Sequence, residues 1–96
     1  MSKTIVVFRM EGDSCLAVFP HTPADHQGRE MECFSRIGQH ARCSAGYLAT
    51  TQPAKPDEYA ALKRELESAP YRYKLAVRKR IPSGSYEARR AALGAP

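Results

Sequence analysis

The sequence predicts an α+β protein in which one main amphipathic helix packs on one face of an antiparallel sheet of about four strands. Three observations support this fold class. Apolar, β-branched runs dominate residues 1–37, an apolar stripe at helical spacing occupies residues 56–69, and residues 71–81 alternate between apolar and basic side chains. The expected element order is β-β-β-(short α)-α-β.

The first three strands are predicted from short apolar runs between turn signals. KTIVVFRM, residues 3–10, ends at the turn-forming EGDS, and CLAVFP, residues 15–20, follows at once, so the two runs are expected to pair as a hairpin. A loop at 21–29 contains proline, aspartate and glycine. The alternating run EMECFSRI, residues 30–37, predicts the third strand.

Two helices are expected next. CSAGYLAT, residues 43–50, predicts a short helix capped by Cys43 or Ser44. In PDEYAALKRELESA, residues 56–69, the apolar stripe consists of Tyr59, Leu62, Leu66 and Ala69. A proline at the first position and acidic residues in the first turn suit a helix start, and the proline at position 70 ends the helix.

The last strand, YRYKLAVRKRI at 71–81, is expected to bury one face and to present a basic one. The apolar positions are Tyr73, Leu75, Val77 and Ile81, and they alternate with Lys74, Ala76, Arg78 and Arg80. The domain is therefore predicted to span residues 1–82. Residues 83–96 form a basic C-terminal tail, which is either a short helix at about 85–93 or disordered.

One helix covers only one face of such a sheet, so the apolar residues of the opposite face need another cover. The segment 43–50, the C-terminal tail and a second copy of the chain are the candidates. A homodimer is therefore among the expected partners.

Length and composition indicate a single globular domain without a membrane span. The chain has 96 residues, of which 43% are hydrophobic and 26% charged, and it contains no apolar run of about 18 residues. Three irregularly spaced cysteines do not form a disulfide framework, and the N-terminus lacks the pattern of a signal peptide. We therefore expect an intracellular, cytoplasmic protein.

Basic residues are concentrated in the C-terminal half. Residues 1–50 hold five basic and five acidic side chains, whereas residues 51–96 hold ten basic and five acidic ones, which accounts for the net charge of +5. Such asymmetry favours an anionic partner, either nucleic acid or an acidic protein. The expected basic face comprises Lys74, Arg78, Lys79, Arg80, Arg89 and Arg90, with Tyr71 and Tyr86 available for stacking. The alternative is that these cations protect an edge strand from aggregation.

A second candidate site lies in RIGQHARCS, residues 36–44. Arg36, Gln39, His40, Arg42 and Cys43 are predicted to form a polar turn at a strand end that also lines a shallow binding pocket. A thiol or metal enzyme using His40 and Cys43 is an open alternative, although no third orienting residue and no paired zinc-ligand spacing is present. We therefore predict no catalytic residue, no metal site and no cofactor.

The motifs VVFR, LAVFP, IGQH and YKLAVRKRI together resemble a family of short, uncharacterised bacterial proteins with an FR…LFP start and a GQH turn. The resemblance spans roughly residues 4–81 and implies a small bacterial protein, but it carries no activity and no functional residue. The hairpin and third strand within residues 5–37 are also similar in shape to HicB-type antitoxins. That likeness implies a regulatory module that binds a partner protein through its sheet.

Taken together, these features predict a small non-enzymatic binding module whose basic C-terminal half contacts an anionic partner.

Overall fold

The structure, a computed structural model, describes residues 3–35 and 40–94. The strands are β1 (Thr4–Glu11), β2 (Ser14–Pro23), β3 (Met31–Ser35), β4 (His40–Cys43), β5 (Gln52–Pro53) and β6 (Leu75–Arg78). The helices are α1 (Ala45–Leu48), α2 (Pro56–Glu67) and α3 (Ser85–Ala92). None of the helices in these two ranges is long and apolar enough to cross a membrane.

The sheet is mostly antiparallel, which confirms the predicted α+β class. Its strand order is β4-β3-β2-β1-β5, with β6 also paired to β1. β1 and β2 form the predicted hairpin, in which Val7 faces Val18 and Glu11 faces Ser14. The prediction of about four strands misses β4 and β5, each of which has four residues or fewer.

The pairing of β6 differs from the purely antiparallel sheet that we predicted. β6 runs parallel to β1, from Thr4 opposite Leu75 to Val7 opposite Arg78. A parallel partner cannot follow through a tight turn. The segment between β5 and β6, which contains α2, is long enough for the chain to reverse its direction and pair with β1 in parallel. β5, in contrast, is antiparallel to β1 and pairs at Arg9 and Met10.

α2 covers one face of the sheet. Leu62 and Leu66 are fully buried there, as the helical spacing predicts. The strand residues in this cluster are Val6, Phe8, Cys15, Ala17, Phe19, Phe34 and Leu75. Two stacked ring pairs add to this cluster: Phe8 stacks on Tyr59 of α2 with ring centroids 4.4 Å apart, and Phe19 stacks on Tyr73, which lies between α2 and β6, at 5.2 Å. Aromatic contacts of this kind add stability beyond the area they bury.

The opposite face has its own apolar cluster, which α1 helps to cover. Its buried members are Val7, Val18, Met31, Cys33, Cys43 and Leu48. Ser44, one of the two predicted caps, begins α1, and its Oγ accepts a hydrogen bond from the backbone N–H of Tyr47 at 3.1 Å. Because α1 supplies Leu48 to this cluster, the uncovered face that motivated a homodimer is at least partly covered within one chain. The homodimer stays a prediction.

The C-terminal tail forms the helical alternative, α3, and packs against β2. Arg89 holds this contact. Its side chain is only 6% exposed, and its Nε and Nη1 donate hydrogen bonds of 2.7 Å to the carbonyl oxygens of Gly28 and Pro20. Gly28 has a φ of 73° and lies beneath Arg90 and Leu93. The loop after β2, longer than a hairpin requires, thus anchors α3.

Several predicted boundaries are longer than the observed elements. β6 spans only Leu75–Arg78 of the predicted 71–81, and Ile81, predicted to be buried, is 37% exposed. Alternation of side chains carries burial information only while the backbone remains a paired strand, and pairing ends at Arg78. α2 ends at Glu67 rather than at residue 69. Residues 36 and 37, the predicted end of the third strand, lie outside the described residues.

We expect Arg89→Met to destabilise the protein by about 1–3 kcal/mol. The substitution keeps an apolar stem but leaves two buried carbonyl oxygens without their donors. Urea unfolding would measure the free energy of unfolding. Arg80→Met is the matched control, because Arg80 is exposed, and it should change that free energy by less than about 0.5 kcal/mol. Equal effects of the two substitutions would contradict a structural role for Arg89.

Candidate anion-binding cleft

A cleft opens where the edge of β1 forks between two strands. Val7 pairs with Arg78 of β6, whereas Arg9, two residues later, pairs with Pro53 of β5. The two strands arrive from opposite ends of β1 and diverge beside Phe8, whose carbonyl accepts a hydrogen bond of 3.1 Å from the N–H of Ala54. The resulting cleft has a volume of about 480 Å³.

Five basic residues line this cleft, and no acidic side chain among the described residues does so. They come from both walls: Arg9, Lys55, Arg78, Lys79 and Arg80. The potentials of basic side chains that lie close together add up. Such a set therefore makes the local potential positive and attracts anions. The lining of the cleft therefore favours an anionic ligand over a cationic one.

The cations differ in how firmly they are held. The Arg9 guanidinium is a structural tie between β1 and the end of α1, because Nε donates to Thr51 Oγ1 at 2.8 Å and Nη2 donates to the Thr51 and Leu48 carbonyls at 2.6 and 3.3 Å. Lys79 and Arg80 are exposed and form no ion pair or side-chain hydrogen bond with the described residues. They are the cations most available to a ligand.

The α2 wall of the cleft is aromatic. Tyr59 lines it, and its ring is stacked on Phe8 with an interplanar angle of 11°. Val77 of β6 lines the cleft as well. The site therefore combines an apolar, aromatic interior with a basic rim.

The helix terminus at the cleft is already satisfied by its own residues. The Glu58 carboxylate accepts the N–H of Lys55 at 2.8 Å, and the Lys55 carbonyl accepts the N–H of Glu58 at 2.8 Å. This reciprocal cap uses donors that an anion would otherwise need. The basic side chains, rather than the helix terminus, are therefore the groups that the cleft offers to an anion.

The structure divides the predicted basic face. Arg78, Lys79 and Arg80 meet at the cleft, whereas Lys74 precedes β6 and lies roughly 13 Å from Arg78 along the strand. Arg89 is buried and is not part of any basic surface, which corrects its assignment as a contact residue. Arg90 lies over Gly28 and Tyr86, with its guanidinium carbon 6.0 Å from the tyrosine ring centroid.

The predicted polar pocket at 36–43 is not assembled by its described members. Arg42 is exposed on β4 and lies 3.6 Å from the Glu30 carboxylate, whereas the neighbouring Cys43 is buried in the core on the other face of the strand. Arg36, Gln39 and the side chain of His40 lie outside the described residues. The open depression at this edge is lined by Arg42 together with Pro23, Ala24, Glu32 and Ala41.

Cys43 lies in an environment that disfavours a thiolate. Its hydrogen bond with Cys33 and its burial raise the pKa of the Cys43 thiol above its ordinary value. The ordinary nucleophilic cysteine has the opposite shift. Among the described residues, no group of three histidine, cysteine, aspartate or glutamate side chains is placed to hold a metal ion.

Sequence reasoning missed four residues of the cleft. Phe8 was assigned to a strand and Tyr59 to the apolar stripe of the helix, and nothing in the sequence marked Lys55 or Arg9 as a binding residue. The one usable signal was the position of Tyr59 in the first turns of α2, close to the loop that precedes the helix. Only the fork at β1 brings these residues together.

No protein-family model, no curated protein and no solved structure matches the chain. The resemblance noted from the sequence thus stays a prediction, and the function must be argued from the site itself.

We expect all three thiols to react slowly with an aromatic disulfide reagent in the native protein. Cys15, Cys33 and Cys43 are each no more than 4% exposed, so reaction requires local opening of the core. The absorbance of the released aromatic thiol, measured at neutral pH, should report three protein thiols promptly in denaturant. Without denaturant, the same release should be far slower. Rapid native reaction of Cys43 alone would contradict this environment and favour thiol chemistry.

Proposed function

We propose that the protein is a non-enzymatic binding module that binds nucleic acid in the cleft between β5 and β6 at the edge of β1. The observation that supports this most strongly is that five basic residues and no described acidic side chain line the cleft, although the guanidinium of Arg9 is bonded to Thr51 and Leu48 outside it. Of these cations, Lys55, Arg78, Lys79 and Arg80 are exposed. The phosphate groups of a nucleic-acid strand could contact these four cations one after another. Each such contact favours binding because it releases condensed counterions.

The position of Lys79 and Arg80 argues against edge protection as their main role. Charged residues that prevent edge-to-edge aggregation lie on the paired strand itself. Lys79 and Arg80 lie beyond the last paired residue of β6, Arg78, where there is no strand edge to protect. They border the cleft and also a smaller depression of about 230 Å³ next to α1. Two basic side chains between two depressions suit a ligand that passes over both.

The runner-up interpretations have less support. An antitoxin-like module would bind its partner through the sheet, but apolar clusters with helices occupy both faces of the central strands. A thiol enzyme would need a reactive Cys43, which is buried. An acidic protein shares the charge argument, but it does not use the aromatic wall that Tyr59 and Phe8 provide.

Binding should weaken steeply with salt. With four phosphate contacts to a single strand, the slope of log affinity against log salt concentration is expected to be about −3. Fluorescence anisotropy with labelled ten-nucleotide RNA and DNA, from low to physiological salt, would measure it. No binding of either polymer at low salt, or tighter binding of polyglutamate than of both, would overturn the proposal.

The double substitution Lys79→Ala/Arg80→Ala should weaken binding about 10- to 100-fold and reduce the salt slope by about 1.4, because two phosphate contacts are lost. The control is Lys63→Ala/Arg42→Ala, which removes the same charge from α2 and from the opposite sheet edge. Equal losses in both variants would indicate attraction by net charge rather than by the cleft.

A further inference from the structure

We infer that the cleft accepts a single-stranded nucleic acid and holds one unpaired base against Tyr59. This inference rests on the proposed function and deepens it, since it names the form of nucleic acid and the group, an unpaired base, that the cleft binds. It is based on the fact that the aromatic ring of Tyr59 and basic residues such as Lys79 and Arg80 line the same cleft.

The ring of Tyr59 is held in place before a ligand arrives. Phe8 stacks on it at 4.4 Å and 11°, and Phe8 is itself 3% exposed in the core of the sheet. A ring fixed by a buried neighbour loses little freedom when a base stacks on it, so more of the contact energy appears as affinity. The half-buried Tyr59 thus extends the core stack into the cleft.

The shape and charge of the cleft suit a nucleotide rather than a free phosphate. Its volume of about 480 Å³ falls within the ordinary range of clefts that enclose small organic ligands. Phe8, Tyr59 and Val77 are the buried or half-buried side chains of its lining, whereas Lys79 and Arg80 are exposed. A base would occupy the apolar interior while its flanking phosphates meet Lys79 and Arg80 at the rim.

A duplex does not fit this arrangement. In a double helix each base is covered above and below by its neighbours and is paired at its edge, so no base face is free for Tyr59. Single-stranded binders instead combine a basic track with aromatic platforms, and they tolerate many sequences because every base has a stacking face. We therefore expect strand-form selectivity with little sequence selectivity.

The test compares three labelled probes of equal phosphate number on the full chain: oligothymidylate, an abasic oligonucleotide and a duplex. The wild-type protein should bind oligothymidylate about 5- to 100-fold more tightly than either of the others. Tyr59→Leu should lose that preference while keeping its salt slope, and Tyr59→Phe should retain it. Tyr86→Leu is the matched control, because Tyr86 is an exposed tyrosine on α3, away from the cleft.

The outcomes separate the inference from the proposed function. If all three probes bind equally to the wild-type protein, base stacking is overturned and the nucleic-acid proposal stands. If none binds at low salt, both fail. A preference that survives in Tyr59→Leu, or is lost in Tyr86→Leu instead, places the base elsewhere and overturns the inference.

A second measurement does not depend on the folding of Tyr59→Leu. The wild-type protein would be irradiated with an oligonucleotide that carries 5-bromouracil, and the adducts would be located by mass spectrometry. The expected adduct lies on the peptide containing Tyr59. Adducts found only on other peptides would overturn the inference.

Discussion

β5 and β6 share one edge of β1, and this sharing shapes the rest of the structure. Arg9 is paired with Pro53 and Val7 with Arg78, so the two strands must diverge at Phe8. A continuous edge partner would have covered that position. The last bond from this segment to β1 is donated by the N–H of Ala54 to the Phe8 carbonyl, and the chain enters α2 at Pro56, so β5 stays two residues long. The fork therefore leaves an opening at the edge of an otherwise well-covered sheet.

The connection between the two strands gives that opening its chemical character. α2 leaves β5, crosses one face and returns the chain at β6, which places Tyr59 and Lys55 on one wall and Arg78 to Arg80 on the other. Because the helix packs through Leu62 and Leu66, its first turn is held against the fork. The same apolar packing that stabilises the fold thus positions the aromatic wall. The proposed binding of a ligand at this surface therefore requires little rearrangement of the protein.

The arginines of this chain show that equal charge does not mean equal role. Arg9 and Arg89 both donate to backbone carbonyls and tie separate elements together, Arg9 at the end of α1 and Arg89 at the loop beneath α3. Their planar guanidinium groups can bond two acceptors at once, which a lysine ammonium does less well. Arg80 has no such acceptor among the described residues and remains exposed. The net charge of the C-terminal half therefore overstates the cations that a partner can reach.

Local pattern alone determined the β1–β2 hairpin, the start of α2 at Pro56, the cap of α1 to within one residue and the concentration of basic residues after residue 70. Each of these depends on residues close together in the chain, so periodicity and turn chemistry suffice to predict it. The tertiary structure alone decided that β6 is parallel to β1, that Arg89 is buried and that Tyr59 meets the cations at a cleft. These features depend on which distant segments pair. If one strand paired with a different partner, all three features could change while every local sequence pattern stayed the same. Long-range pairing is selected by the packing of the whole sheet and its helices.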